Sequence, residues 1–201
     1  MTDTSARTLG HYQANARSFW DGTKDHDVTQ NIDALLSALA APPPLRILEL
    51  GCGPGRDLAA FVARGHQPTG LDGCASFVDM ARAHSGCEVW HQDFLALTLP
   101  AAHFHGVFAN ASLFHVPSAH LPRVLGELRD TLLPRGVLFF SNPRGNDEEG
   151  WHGDRYGCYF DLDRWRALMT DAGFDELGHY YRPPGRPRSE QPWLAMTWRR
   201  R

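Results

Sequence analysis

Apolar residues recur along this chain with two alternating periods. From Asp25 to Leu39 they fall three and four apart, at Val28, Ile32, Leu35, Leu36 and Leu39, the spacing that lines one face of a helix. Pro42-Pro43-Pro44 ends that pattern, because proline lacks an amide hydrogen and cannot continue a helix. A short apolar run at 45–50 then predicts a strand, and a helical pattern follows at 57–64. The alternation continues with strand 67–72, helix 76–84, strands 87–92 and 106–111, helix 119–133 and strand 137–142. Helix 119–133 carries Leu121, Val124, Leu125, Leu128 and Leu132 on one face, and Pro134-Arg135-Gly136 turns it into its strand. Such alternation predicts an α/β fold, a parallel sheet with helices on both faces. Further on, Asp161 suits an N-cap for a helix carrying Leu162, Trp165 and Leu168, ended by Gly173. Two strand-like runs follow, 176–182 and 192–198, separated by Pro183-Pro184-Gly185-Arg186-Pro187. Residues 1–10 read as a mobile tail.

Composition narrows the picture a little. At 201 residues one domain is the default. The net charge of −3 favours no nucleic-acid partner. Lys24 is the only lysine, and Arg199-Arg200-Arg201 reads as a solvated end. No apolar run reaches membrane-spanning length and no apolar signal core opens the chain. Cys52, Cys74, Cys87 and Cys158 form no C-x-x-C pair, so they read as reduced residues of a cytoplasmic protein. The histidines show no recognised ligand spacing, and no metal is expected.

The chemistry concentrates in Leu45-Arg46-Ile47-Leu48-Glu49-Leu50-Gly51-Cys52-Gly53-Pro54-Gly55-Arg56-Asp57. A strand ends in an acidic residue, three glycines follow at alternate positions, and a helical pattern begins. Glycine lets a ligand approach the main chain closely. Asp72 ends the next strand, where a carboxylate can meet the ribose hydroxyls of a nucleoside. With Glu49 and Asp93-Phe94, the G-x-G-x-G turn resembles the S-adenosylmethionine (SAM) site of class I methyltransferases. The resemblance covers Leu45 to Arg199. It implies a Rossmann-like, seven-stranded, mostly parallel sheet with an antiparallel last strand. It also implies residues 45–201 as the SAM-binding core and residues 1–44 as a lid or substrate segment with its helix. Gly51, Cys52, Gly53 and Gly55 would lie under the methionine moiety, and Glu49 would orient the loop or the SAM amino group. Asp72 would take the ribose hydroxyls, with Gly73 keeping space open beside it. Asp93 would meet the adenine amino group, and Phe94 would cover the ring or simply pack in the core. Asn110 and Ala111 match the segment beneath the transferable methyl, and Tyr12 resembles the family's lid tyrosine. Arg56 covers the site edge or pairs with Asp57.

Two polar, aromatic segments are candidates for holding the methyl acceptor, which is expected to be a small molecule. One is Phe19-Trp20-Asp21-Gly22-Thr23-Lys24-Asp25-His26-Asp27-Val28-Thr29-Gln30-Asn31, within a stretch that runs from His11 to Asn31; the other is the stretch 142–159 after the fifth strand, read as a long loop. The family resemblance adds the loop after strand four as a third pocket-building place. Phe19, His26, Asn31, Arg144, Trp151, Arg155 and Tyr159 are candidate substrate contacts, the arginines for a carboxylate and the aromatics for a ring. Asp25, Asp27, His115 and Tyr156 are candidates for fixing a tautomer or removing a proton, with N-capping the alternative for the two aspartates. The first segment resembles the methyltransferase domain of 5-histidylcysteine sulfoxide synthases, which methylates an imidazole nitrogen of 5-thiohistidine on the way to ovothiol. Three functions therefore compete. They are an imidazole N-methyltransferase, a methyltransferase for another small thiol, oxyanion or metabolite, and a SAM-binding regulatory protein without turnover. Oligomeric state is not readable from these patterns.

Overall fold

The computed structural model describes residues 3–201. Seven strands form one sheet: β1 (Arg46–Leu50), β2 (Gln67–Asp72), β3 (Val89–His91), β4 (Phe104–Asn110), β5 (Leu132–Pro143), β8 (Phe174–Arg182) and β9 (Trp193–Arg200). Their order is β3-β2-β1-β4-β5-β9-β8. The pairs β3–β2, β2–β1, β1–β4 and β4–β5 are parallel, whereas β9 runs antiparallel to both β5 and β8. The expected mostly parallel sheet with an antiparallel last strand is therefore present. The order reverses between β1 and β4, the crevice where doubly wound sheets bind ligands.

The strands are apolar on both faces because helices cover both. One core holds Leu48, Val107, Leu138 and Phe140 against α6 (Leu121–Thr131) and α7 (Leu162–Asp171), through Leu125, Leu128 and Trp165. The other holds Ile47, Phe108 and Phe139 against Ile32 and Leu35 of α3 (Thr29–Ala38). Phe108 and Phe139 stack with ring centroids 5.2 Å apart. The helices α4 (Arg56–Ala63) and α5 (Ala75–Ser85) follow β1 and β2, and Leu58, Val78 and Ala81 pack with Cys52 and Val89 in a third cluster.

Several elements differ from the sequence expectation, and β5 already begins at Leu132, running through the 134–136 stretch expected as a turn. Residues 3–10 belong to a helix, α1 (Asp3–Ala14), rather than a tail; residues 1 and 2 lie outside the described part. The expected helix from Asp25 begins only at Thr29, because Asp27 Oδ1 accepts from the Thr29 amide (2.9 Å) and 24–28 crosses the crevice as open chain. A separate helix, α2 (Ala16–Thr23), precedes it. The long loop after β5 contains an antiparallel hairpin, β6 (Glu148–His152) and β7 (Arg155–Tyr159). Gly157 faces inward there, and a Cβ on it would meet Phe114 at 2.9 Å.

Candidate active site

A cavity of about 610 Å³ opens at the carboxyl ends of β1, β2, β4 and β5. Its floor is the turn after β1. Gly51, Gly53 and Gly55 all hold positive φ (74°, 53° and 91°), a region costly for other residues. A side chain at Gly51 would strike Ser112, whose hydroxyl donates to the Leu50 carbonyl (2.5 Å). Gly55 has a different task. A Cβ there would meet Ala81 Cα at 2.8 Å, so this glycine lets α4 pack on α5 and does not face the cavity.

Three carboxyl groups stand around the floor. Asp72 Oδ2 accepts from the Gly53 amide (2.9 Å) and Oδ1 from the Cys74 amide (2.8 Å). Burial nevertheless raises its pKa to about 6, against the pull of those amides and His91. Glu49 is buried and its Oε2 meets no hydrogen-bond partner among the described residues. Burial first, and then the Asp57 charge, push it well above the usual carboxylate range. Asp93 is bonded to the Leu95 amide through Oδ1 (2.9 Å) and to the Ser5 hydroxyl through Oδ2 (2.8 Å).

One wall is a directed chain of hydrogen bonds. The Tyr180 hydroxyl donates to Asn31 Oδ1 (2.8 Å), Asn31 Nδ2 to Asn110 Oδ1 (2.9 Å), and Asn110 Nδ2 to Asp57 Oδ2 (3.1 Å). Arg56 closes it with Nε on Asp57 Oδ1 (2.6 Å) and Nη2 on Oδ2 (3.0 Å), while Nη1 reaches the Thr23 carbonyl (2.7 Å) at the end of α2. Arg56 therefore pairs with Asp57 and ties the segment above the cavity to the glycine turn. Bidentate, partly buried pairs of this kind are strong and directional.

The other wall is a lid of α1 and the β6–β7 hairpin. His115 Nε2 lies 2.8 Å from the Tyr12 hydroxyl and Nδ1 lies 2.6 Å from the Tyr156 carbonyl. A carbonyl only accepts, so Nδ1 carries the proton and Nε2 accepts from Tyr12. Burial lowers the His115 pKa to about 4, so the ring is neutral near pH 7. Arg7 of α1 bonds Asp154 (2.8 Å) and lies 4.4 Å over the Trp151 ring, and the Tyr156 amide donates to the Thr8 hydroxyl (3.0 Å).

The candidate residues divide accordingly. The cavity brings together Tyr12, Phe19, His26, Asp27, Glu49, Gly51, Cys52, Gly53, Asp72, Gly73, Asp93, Phe94, Asn110, Ala111, His115 and Arg155. Other candidates fall elsewhere. Asp25 is exposed outside the wall, and Asn31 is buried behind Asn110. Arg144 spends its guanidinium on the Gln191 and Arg188 carbonyls (3.3 and 2.9 Å). Trp151 is covered by Arg7. Tyr156 donates its hydroxyl to Glu149 (2.8 Å), which helps hold its pKa up at about 12 after burial. Tyr159 packs on Phe114 and His152 rather than on the cavity. Trp20, inside the candidate segment 19–31, also lines the wall, and residues that sequence reading missed include Thr8, Leu9, Phe77, Arg182 and Trp193. Arg182 and Trp193 pair across β8 and β9, far along the chain from every motif, and no local signal marks them.

Residues 47–136 match the family model of a methyltransferase domain. A trans-aconitate 2-methyltransferase of Azoarcus sp. (strain BH72) is 35% identical over 118 residues, 57% of this chain and 45% of that protein. Its counterpart in Rhodopseudomonas palustris (strain BisB18) is 30% identical over 161 residues, 76% of this chain and 60% of the other. The chain thus spans about half the length of these curated relatives. Among solved structures, the 1,6-didemethyltoxoflavin-N1-methyltransferase of Burkholderia thailandensis superposes with a TM-score of 0.79 at 21% identity, covering 100% of this chain and 91% of that one. That protein was crystallised with 1,6-didemethyltoxoflavin and S-adenosylhomocysteine.

Proposed function

We propose, from the methyltransferase-domain match over residues 47–136 and the fold, that this chain is a SAM-dependent methyltransferase of a small molecule. The observation that carries the reading is the cradle at the end of β1. There Glu49 keeps a buried carboxyl oxygen without a partner among the described residues, above a glycine turn that a Cβ on Gly51 would block. These residues fit SAM, a cation with an amino-acid end and a ribose. Glu49 would satisfy its amino group, Asp72 its ribose hydroxyls, and Asp93 with Phe94 its adenine. When bound, the sulfonium supplies an activated methyl group and a good leaving group.

The protein's part is alignment and exclusion of water. Holding the acceptor in line supplies roughly 7–11 kcal/mol in well-oriented systems. Asn110, its amide fixed from both sides by Asn31 and Asp57, would stand beside the acceptor. The α1–hairpin lid, locked through Tyr12 and His115, covers the opposite side. His115 is neutral with both nitrogens engaged, so it positions Tyr12 rather than taking a proton. Acceptors that attack as an anion or a neutral ring nitrogen need no strong base from the enzyme.

The relatives' names point to trans-aconitate, a tricarboxylate whose oxyanion is such a nucleophile. A second reading keeps the imidazole of 5-thiohistidine. It is favoured by the likeness of segment 19–31 and by His26 and Asp27 lining the cavity. Incubation of the protein with SAM and either compound, followed by mass spectrometry, tests both. S-adenosylhomocysteine formed with a carboxylate ester supports the first, and an N-methylated thiohistidine the second. Tight SAM binding with no turnover on a broad metabolite panel would instead make the chain a SAM-binding regulatory protein.

A further inference from the structure

Three arginines line the cavity, and they are not equivalent. Arg56 is neutralised by Asp57 through two bonds. Arg155 and Arg182 have no carboxylate within 4.0 Å among the described residues. Among the described residues Arg182 gives one hydrogen bond, from Nη2 to the Asp27 carbonyl (2.9 Å), which anchors the head group to segment 24–28. The Asp27 carboxylate feels the Arg182 charge but forms no ion pair with it, and its Oδ1 accepts from the Thr29 amide. Arg155 stands on the lid side, within electrostatic reach of Tyr12 and His115. Unneutralised guanidinium groups facing a cavity are the usual means of holding carboxylates.

The positions of the two differ. In the order β1-β4-β5-β9-β8, Arg182 at the end of β8 lies four strands from the glycine turn, roughly 19 Å at 4.8 Å per strand. Trp193, opposite it on β9, lines the same end of the cavity. SAM carries one carboxylate, which accounts for one unneutralised arginine at most. The acids Glu49, Asp72 and Asp93 all stand at the other end, around the glycine turn. One cation is left over, and the strand order makes it Arg182.

Resting on the methyltransferase reading, we propose that the acceptor is a small carboxylate-bearing molecule and that Arg182, backed by Trp193, is the residue that selects it. Arg182 touches the acceptor's carboxylate, not the transferred methyl, so its loss falls on acceptor binding.

The test uses the full chain loaded with S-adenosylhomocysteine. Trans-aconitate, 5-thiohistidine and the neutral trimethyl ester of trans-aconitate are titrated by calorimetry, and the same three are offered with SAM for turnover. Binding of an anionic compound but not of the ester is expected. Arg182→Gln should then raise the KM for that compound roughly tenfold to a hundredfold, with S-adenosylhomocysteine affinity unchanged and partial recovery in Arg182→Lys. The proposal is overturned if neither anionic compound binds the loaded protein, if the ester binds equally well, or if Arg182→Gln leaves the KM alone. Failure of the wild type to bind S-adenosylhomocysteine would overturn the methyltransferase reading instead.

Discussion

The hydroxyl of Tyr12 and the Nε2 atom of His115 meet at 2.8 Å across 103 residues of sequence, and this contact ties the N-terminal helix to the segment after β4. Because Nδ1–H is committed to the Tyr156 carbonyl, the imidazole is held in one tautomer and can only accept from Tyr12. A hydrogen bond thus latches three elements over the cavity: α1, the turn at 113–115 and β7.

The latch has a pH signature. His115 titrates near 4 when folded, below its ordinary value of 6.5, so the unfolded chain binds the extra proton between those values. Its contribution to stability is present above about 6.5 and is lost as pH falls toward 4. Asp72, whose folded pKa is raised to about 6, acts in the opposite sense, adding stability as pH falls from 6 toward 3.8. The difference between wild type and His115→Gln isolates the histidine. The variant should be less stable at pH 7, and its deficit should shrink between pH 6.5 and 4 in chemical denaturation. A deficit that stays constant with pH would refute the assignment.

Asp72 should carry a large share of cofactor affinity. Its carboxylate is aligned by two amides at the strand end, and a charge-assisted hydrogen bond contributes about 1.5–3 kcal/mol. Asp72→Ala is expected to weaken S-adenosylhomocysteine binding at least about tenfold by calorimetry. Unchanged affinity in a folded variant would remove the residue from the site.

Gly51→Ala should be worse tolerated than substitutions at open glycines. The residue has φ of 74°, and the added Cβ meets Ser112 together with Phe94 at 3.1 Å. We expect a loss of more than about 1 kcal/mol in stability and loss of S-adenosylhomocysteine binding. Gly10→Ala, inside α1 with open space around its Cβ, is expected instead to be neutral or stabilising by up to about 1 kcal/mol. Equal behaviour of the two in thermal melts would contradict the cradle.

Tyr180→Phe removes the first donor of the chain that ends on Asp57. Asn31 Oδ1, in a fully buried side chain, would lose its partner. The expected cost is about 1–3 kcal/mol in denaturant unfolding. A change below about 0.5 kcal/mol would show that this bond contributes little.

The sequence determined on its own whatever consecutive residues decide together. The turn from Leu50 to Asp57 is strand, positive-φ glycines and helix start in one stretch, and Asp72 terminates the next apolar run, so these local elements were legible from consecutive residues, whereas the antiparallel last strand came from the family resemblance and the strand order from the tertiary structure. Apolar periodicity records burial against a core, and α3, α6 and β5 therefore declared themselves. The lid did not. Hairpin strand β6 is largely exposed and, among its described residues, α1 buries only Thr8 fully, so neither leaves a hydrophobic period. They dock instead through Arg7, Tyr12 and the main chain of Tyr156. The tertiary structure also decided which ionisable groups face the cavity. Arg144 and Arg182 look alike in sequence, but backbone carbonyls occupy the first and the second reaches the cavity with donors to spare. What a charged side chain does depends on its burial and its partners, and distant segments supply both.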